Sequence, residues 1–240
     1  MDPSRIAELL QPFLGPCHSE PDRRSGEEPA VLASRTLQSI STYIDILLRW
    51  SARINLTAIR DPEEIITRHF GESFFAARHL FRTTAHAEIA ALGRPAQRSS
   101  APQVADLGSG AGFPGIPVKL WKPDIALTLI ESNHKKAAFL REVARSFTLT
   151  GINIQNVRAE TLPPSAFDVV TLRAVEHFVE ILPVAADLLK PGGRLALLIG
   201  SSQEGSARSA LAQLAWRDAI PIPESSDRIL LIGTQNNHSN

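Results

Sequence analysis

The sequence predicts an α/β fold: a mostly parallel sheet of seven strands covered by helices on both faces, preceded by a helical extension. Three observations predict it. From Val104 onward, short apolar runs alternate with helical patterns. The first run, Val104–Leu107, carries Asp106 near its end and opens onto a loop containing Gly108, Gly110, Gly112 and Gly115. A polar, alanine-rich and proline-containing stretch at 82–101 separates this alternation from purely helical patterns upstream. The chain therefore divides into an extension with linkers at 1–101 and an α/β domain at 102–240.

In the extension, Ile6–Leu14 suits a short helix, with Pro3 near its start and Gly15-Pro16 at its end. Residues 15–30 mix charge, Pro, Gly and Ser, bury little apolar surface, and are expected to be a mobile linker. Leu37, Ile40, Ile44, Leu47 and Leu48 recur at helical spacing, and Trp50 and Ile54 prolong that pattern. Asp61-Pro62-Glu63-Glu64 combines a capping acid, Pro at the first helical position and acids in the first turn. The helix it starts is expected to reach about Phe81 through Ile65, Ile66, Phe70, Phe74 and Leu80.

Downstream, strands are expected at 103–107, 125–131, 152–157, 167–172, 194–199 and 228–233, with a weaker one at 218–222. Helices fall at about 115–121, 133–147, 177–189 and 204–214. Asn133 suits the cap of the second, whose buried face would carry Ala137, Leu140, Val143, Ala144 and Phe147. Lys190-Pro191-Gly192-Gly193-Arg194 reads as a turn into the fifth strand. The last two runs leave little room for a helix, so they are expected to pair antiparallel at the sheet edge.

Composition narrows the partners. The 240 residues include 25 basic and 25 acidic side chains, so contact with RNA requires a local patch. Arg53, Arg60, Arg68, His134, Lys135, Lys136, Arg141 and Arg145 are the candidates. A single cysteine, Cys17, excludes an internal disulfide and a cysteine-rich metal site, and no metal is expected. No apolar run approaches the ~18 residues of a membrane span and no signal-peptide pattern opens the chain. A soluble, cytoplasmic monomer is the expectation.

The glycine loop carries the chemistry. A strand, a glycine loop and a helix present backbone N–H groups and a positive helix end to a ligand. The dinucleotide fingerprint G-x-G-x-x-G would place its third glycine at Phe113, so this loop departs from it. Asp106 would repel a pyrophosphate but suits a cationic or amino-acid ligand. Glu131 closes the next apolar run, 23 positions beyond Gly108, where an acid accepts hydrogen bonds from ribose hydroxyls. A nucleoside with a cationic amino-acid tail meets these requirements, and S-adenosylmethionine is that molecule. The fold is then the Rossmann-like class I S-adenosylmethionine-dependent methyltransferase, with Gly108, Gly110 and Gly112 in its cofactor loop. Glu160, read as ending the third strand, is placed for the adenine edge, and Arg173 follows the fourth strand on the same sheet edge.

The acceptor is narrowed by absent devices. Methylation of a pyrimidine carbon requires a nucleophilic cysteine, and Cys17 stands far from the loop in sequence. Exocyclic-amine chemistry usually shows Asp/Asn-Pro-Pro-aromatic after the fourth strand, where this chain has Thr171-Leu172-Arg173-Ala174. Guanine N7 has a free in-plane lone pair and requires neither. His69 reads as a helix-packing histidine.

Asn55-Leu56-Thr57-Ala58-Ile59, Arg68-His69-Phe70-Gly71-Glu72-Ser73, Asp106–Pro117, Glu131-Ser132 and Leu172-Arg173-Ala174 together resemble the bacterial small-subunit rRNA guanine-N7 methyltransferases, the RsmG or glucose-inhibited-division B (GidB) family. The resemblance runs from about Leu37 to Gly200, and Gly112-Phe113-Pro114-Gly115-Ile116-Pro117 is its most specific part. It implies methyl transfer from S-adenosylmethionine to N7 of a guanine in 16S rRNA, free or in a small-subunit particle. It further implies cofactor contacts at Gly108, Phe113, Glu131, Ala159, Glu160 and Arg173, with Arg173 also in the catalytic role. Two positions depart from the family pattern: Ile199 stands where a lysine is usual and Leu172 where a serine is usual, both expected near the RNA entrance. The residues alone leave two other readings open, a methyltransferase acting on a small molecule or protein and a cofactor-binding RNA assembly factor without turnover.

Overall fold

The computed structural model describes residues 1–15, 32–81, 101–175 and 177–236. Most of both expected linkers, 16–31 and 82–100, and with them Cys17, lies outside the described residues.

The sheet contains β1 (Gln103–Leu107), β2 (Ala126–Ile130), β3 (Ile152–Gln155), β4 (Phe167–Arg173), β5 (Leu189–Gly200), β6 (Ala215–Trp216), β7 (Ile220–Pro221) and β8 (Arg228–Thr234). Its order is β3-β2-β1-β4-β5-β8-β6, with β7 also paired to β8. The first five strands are parallel. β8 enters antiparallel beside β5 and pairs antiparallel with β7, the second being the pairing expected of the last two runs. The weak run near 218–222 is β7, and a further short strand, β6, precedes it; both pair with β8, so the sheet has eight strands where seven are expected. Phe167 pairs with Leu189 and Val169 with Arg194, so the expected turn at 190–193 bulges out of a longer β5.

Strand alternation divides the core into two layers. Val104, Leu127, Leu129, Val169, Ala196 and Leu198 face one layer. Ala105, Leu107, Val170, Leu172, Leu197 and Ile199 face the other. The second layer is closed by α7 (Phe178–Asp187) and α8 (Glu204–Ala210) through Leu182, Ala185 and Ala207. The first is closed by α5 (Gly115–Trp121) and α6 (His134–Ser146) together with the N-terminal helices. Asn133 caps α6, its side chain accepting from the Lys135 and Lys136 amides at 2.9 and 3.3 Å.

Those N-terminal helices are α1 (Pro3–Leu14), α2 (Ser34–Ser51), α3 (Pro62–Ile65) and α4 (Glu72–Leu80). α2 ends at Ser51, so Ile54, expected to prolong it, lies in the loop beyond. Asp61 caps α3, accepting from the Glu64 amide at 2.8 Å. A π-helical turn, Ile66–Gly71, joins α3 to α4 within one continuous helix. Such widened turns rephase the residues that follow them. Here Arg68, His69 and Glu72 meet the sheet's carboxyl edge. Ile6, Phe13, Ile40, Tyr43, Phe70 and Phe74 of the extension are packed into the same layer as Val104 and Leu129. The extension and that sheet face therefore share one core.

Candidate active site

The loop after β1 folds as its glycines allow. Gly108, Gly110 and Gly112 take φ of 65°, 51° and 82°. At Gly112 any Cβ would collide with the Tyr43 hydroxyl, which approaches to donate to the Ala111 carbonyl at 2.6 Å. At Gly110 the space beyond is open, since the nearest atom to an added Cβ is the Gly108 carbonyl oxygen at 3.6 Å. Glu131 braces this point: one carboxylate oxygen accepts from the Gly110 amide and the other from the Asn133 amide, both at 2.8 Å.

Asp106 corrects one expectation. Its side chain is fully buried and faces the inside of the fold. Oδ1 accepts from the Thr171 hydroxyl at 2.7 Å and Oδ2 from the Gly115 amide at 3.2 Å. Burial pushes its pKa up to about 6, against the opposing hydrogen bonds from Thr171 and Gly115. Asp106 thus ties β1 to β4 and to the start of α5, and it does not line the cavity in front of the loop.

The facing wall comes from the extension. Arg173, at the end of β4, donates from Nη2 to the Arg68 carbonyl at 2.7 Å and to His69 Nδ1 at 2.9 Å. A guanidinium only donates, so Nδ1 must accept and the proton of the neutral ring sits on Nε2. Nε2 lies 2.9 Å from the Thr57 hydroxyl oxygen, to which it donates. Burial, reinforced by the charges of Arg173 and Arg68, lowers the His69 pKa to about 3. The ring also stacks on Phe113 with centroids 4.7 Å apart. Behind Arg173 lies Glu72, 1% exposed, paired with Arg173 at 3.4 Å and Arg228 at 2.5 Å. Burial raises the Glu72 pKa while the two guanidiniums oppose it. Burial also lowers that of Arg173, against the pull of Glu72.

Between the walls lies a cavity of about 270 Å³. Gly108, Ser109, Gly110, Ala111 and Phe113 form its sheet side, with Arg173 and Ala174 at the β4 end. Leu56, Thr57, Ala58 and His69 form the capping side, and Lys136 reaches it from α6. Of the expected site residues, Gly108, Gly110, Phe113 and Arg173 therefore meet at one cavity. Gly112 and Asp106 support the loop from behind, and Glu131 binds the Gly110 amide without lining the cavity. Ala159 and Glu160 do not line this cavity. β3 ends at Gln155, so Glu160, read as closing that strand, instead stands exposed in a 3₁₀ turn at Ala159–Thr161.

The roles of Thr57, Tyr43, Glu72 and Arg228 escape a reading of the sequence by periodicity. Only Glu72 leaves a trace there, as a charge in the middle of the apolar stretch Phe70–Ala77.

S-adenosylmethionine can be tested against this geometry. The open face at Gly110 is a cradle that any Cβ would fill. A carboxylate accepts at about four lone-pair positions, so Glu131 retains capacity for ribose hydroxyls after binding two amides. The residues fit the group.

A family model described as rRNA small subunit methyltransferase G matches residues 36–222. The chain is 37% identical over 159 residues to ribosomal RNA small subunit methyltransferase G of Xanthomonas campestris pv. campestris strain B100. It is 39% identical over 160 residues to the protein of that name from Xylella fastidiosa strain 9a5c. Each match spans 66% of this chain and 66% of the relative, just under two thirds of the relative's length. Among solved structures, the ribosomal protein L11 methylase of Lactobacillus delbrueckii subsp. bulgaricus superposes with a TM-score of 0.54 at 14% identity, covering 70% of this chain and 79% of that one. At that identity the likeness is one of fold.

Proposed function

The chain belongs to the rRNA small subunit methyltransferase G family, and from that premise we propose that it methylates N7 of a guanine in 16S rRNA, using S-adenosylmethionine. Bound at the glycine loop, that cofactor supplies an electrophilic methyl group on a sulfonium. Gly110 leaves room for it against the backbone, Gly108 lines the same cavity, and Glu131 holds the loop and accepts from the ribose. Ala159 and Glu160, which lie outside the cavity, would meet the adenine farther along the carboxyl edge. Arg173 fixes the β4 end of the cavity, held in place by Glu72, Arg68 and His69. Its work is positioning, which is where catalysis of such a transfer must lie.

The single observation that carries the N7 reading is the state of His69. One ring nitrogen accepts from Arg173 and the other donates to Thr57, so the histidine of this cavity has no lone pair for a substrate proton. Guanine N7 carries no proton to remove. An exocyclic amine or a hydroxyl does, and its methylation would call for a base.

The test is methyl transfer to small-subunit particles and to protein-free 16S rRNA, followed by identification of the modified nucleoside. N7-methylguanosine at one position is expected. Transfer to an exocyclic amine, to a small molecule or to protein alone, or cofactor binding without turnover, would overturn the reading.

A further inference from the structure

Thr57 presents an unusual hydroxyl. Its oxygen accepts from the Ile59 amide at 3.1 Å and from His69 Nε2–H at 2.9 Å. Those two bonds take both lone pairs of the oxygen. The Thr57 carbonyl is held separately by the Arg60 guanidinium. What remains is the O–H hydrogen, which has no acceptor among the described residues, on a side chain that lines the cavity. The bonds behind it run in one direction: Arg173, with the Glu72 carboxylate beside it, donates to His69, and His69 donates to Thr57. Each member leaves the next no alternative but to donate onward. Thr57 is therefore left with a hydrogen-bond donor to offer, on a side chain that lines the cavity shared with the glycine loop.

We infer that the Thr57 hydroxyl donates to O6 of the target guanine and is a specificity-determining group of this site. The inference rests on the guanine-N7 reading. A guanine presenting N7 to the sheet-side wall also presents O6 on the same edge, and O6 only accepts. Adenine presents N7 beside an amino group at that place, which would leave the Thr57 O–H facing another donor. A site built to hydrogen-bond one group rejects analogues that leave its buried polar atoms unpaired. Thr57 comes from the N-terminal extension and not from the glycine loop or a strand end of the sheet, which favours the incoming base over the cofactor as its partner.

The experiment is a cycle of single-turnover rates with the target guanine either intact or replaced by 2-aminopurine, which keeps N7 and lacks O6. Thr57→Val keeps the shape of the side chain and removes the donor, and Thr57→Ser retains it. Thr57→Val also removes the acceptor of the Ile59 amide and of His69, a loss common to both bases, so it is expected to slow transfer to guanine about 10-fold more than transfer to 2-aminopurine, the scale of one hydrogen bond. The intrinsic difference between the two bases cancels in the cycle. Thr57→Ser should keep the wild-type ratio, and cofactor affinity by calorimetry should be the same in all three proteins. Equal slowing of both bases by Thr57→Val would overturn the inference. So would a loss of cofactor affinity, which would assign the hydroxyl to the cofactor's carboxylate. If the wild-type protein methylates no guanine N7, the functional reading falls first and this one with it, a result distinct from either.

Discussion

Gly110 and His69 carry the residue-scale predictions. Gly110 sits at φ 51° with open cavity where a side chain would go. Gly110→Val adds backbone strain of ~1–2 kcal/mol and fills the cradle. The protein should remain folded and lose S-adenosylmethionine binding in calorimetry; wild-type affinity would refute the assignment of the loop. His69 is held neutral, with a pKa of about 3 against an ordinary value of 6.5. Below pH 6.5 the unfolded chain takes up a proton that the folded chain refuses, so this histidine costs stability as the pH falls. Asp106 acts oppositely below about 6, because its raised pKa lets the folded state bind the proton first. The comparison of His69→Gln with wild type removes that second contribution. Wild type should lose its stability advantage over His69→Gln as the pH falls from 7 to 5, by up to ~1.4 kcal/mol per unit. Denaturant titrations at each pH measure it, and a pH-independent difference would contradict the buried neutral ring. The transfer rate itself should be nearly flat between about pH 6.5 and 8.5, above the unperturbed histidine pKa. A steep rise abolished by changing one side chain would reveal a base and remove the N7 reading.

Elements matter here because the site is assembled between them. α2 supplies Tyr43, which stacks near Phe113 and Phe139 at 5.4 and 6.1 Å and pins the glycine loop through Ala111. Tyr43→Phe leaves the buried Ala111 carbonyl without its donor, which should cost about 1–3 kcal/mol. It should also weaken cofactor binding, because the loop loses its rear anchor. Chemical denaturation and calorimetry check the two parts, and unchanged cofactor affinity would show that the glycines hold the loop unaided. The π-turn at Ile66–Gly71 is the second such element. It brings Arg68, His69 and Glu72 together at Arg173, and Gly71 lets Phe13 of α1 press directly onto it.

At the scale of the whole molecule, zero net charge makes the distribution of charge decisive. Arg60 is engaged with backbone carbonyls at the Thr57 loop, and Arg68 pairs with Glu64 at 3.1 Å. Lys135, Lys136, Arg141 and Arg145 of α6 form no ion pair with any acid among the described residues, and Lys136 reaches the cavity. α6 is therefore the basic face that we propose receives phosphates. Replacing Lys135 and Lys136 by Ala should reduce the slope of log affinity against log salt by about 1.5 for single-stranded RNA. An unchanged slope would move the RNA path elsewhere. Ile199 and Leu172, expected at the RNA entrance, are 5% and 0% exposed in the layer under α7 and α8. Strand alternation turns both away from Arg173 and its neighbours, so they shape the core and not the entrance. No helix among the described residues is long and apolar enough to cross a membrane.

The sequence by itself determined the sheet, its glycine loop and the helices around it, because each is written in a local pattern. Period-two and period-3.6 burial, caps such as Asp61 and Asn133, and glycines at positive φ act over a few residues and need no distant partner. Strands at 103–107 and the helix at 115–121 were legible to the residue for this reason. Only the tertiary structure decided which way the charged side chains face. Asp106 and Glu131 look alike in sequence, each an acid at the end of a strand. Yet one braces β4 and α5 inside the fold, while the other braces the loop beneath the cavity. The capping wall was hidden for the same reason. Thr57, His69 and Arg173 are separated by 12 and 104 positions, and no local pattern records hydrogen bonds closed over such distances. Burial supplies the reason they meet: a charge or ring nitrogen removed from water must find a partner, and the fold alone decides which partner is within reach.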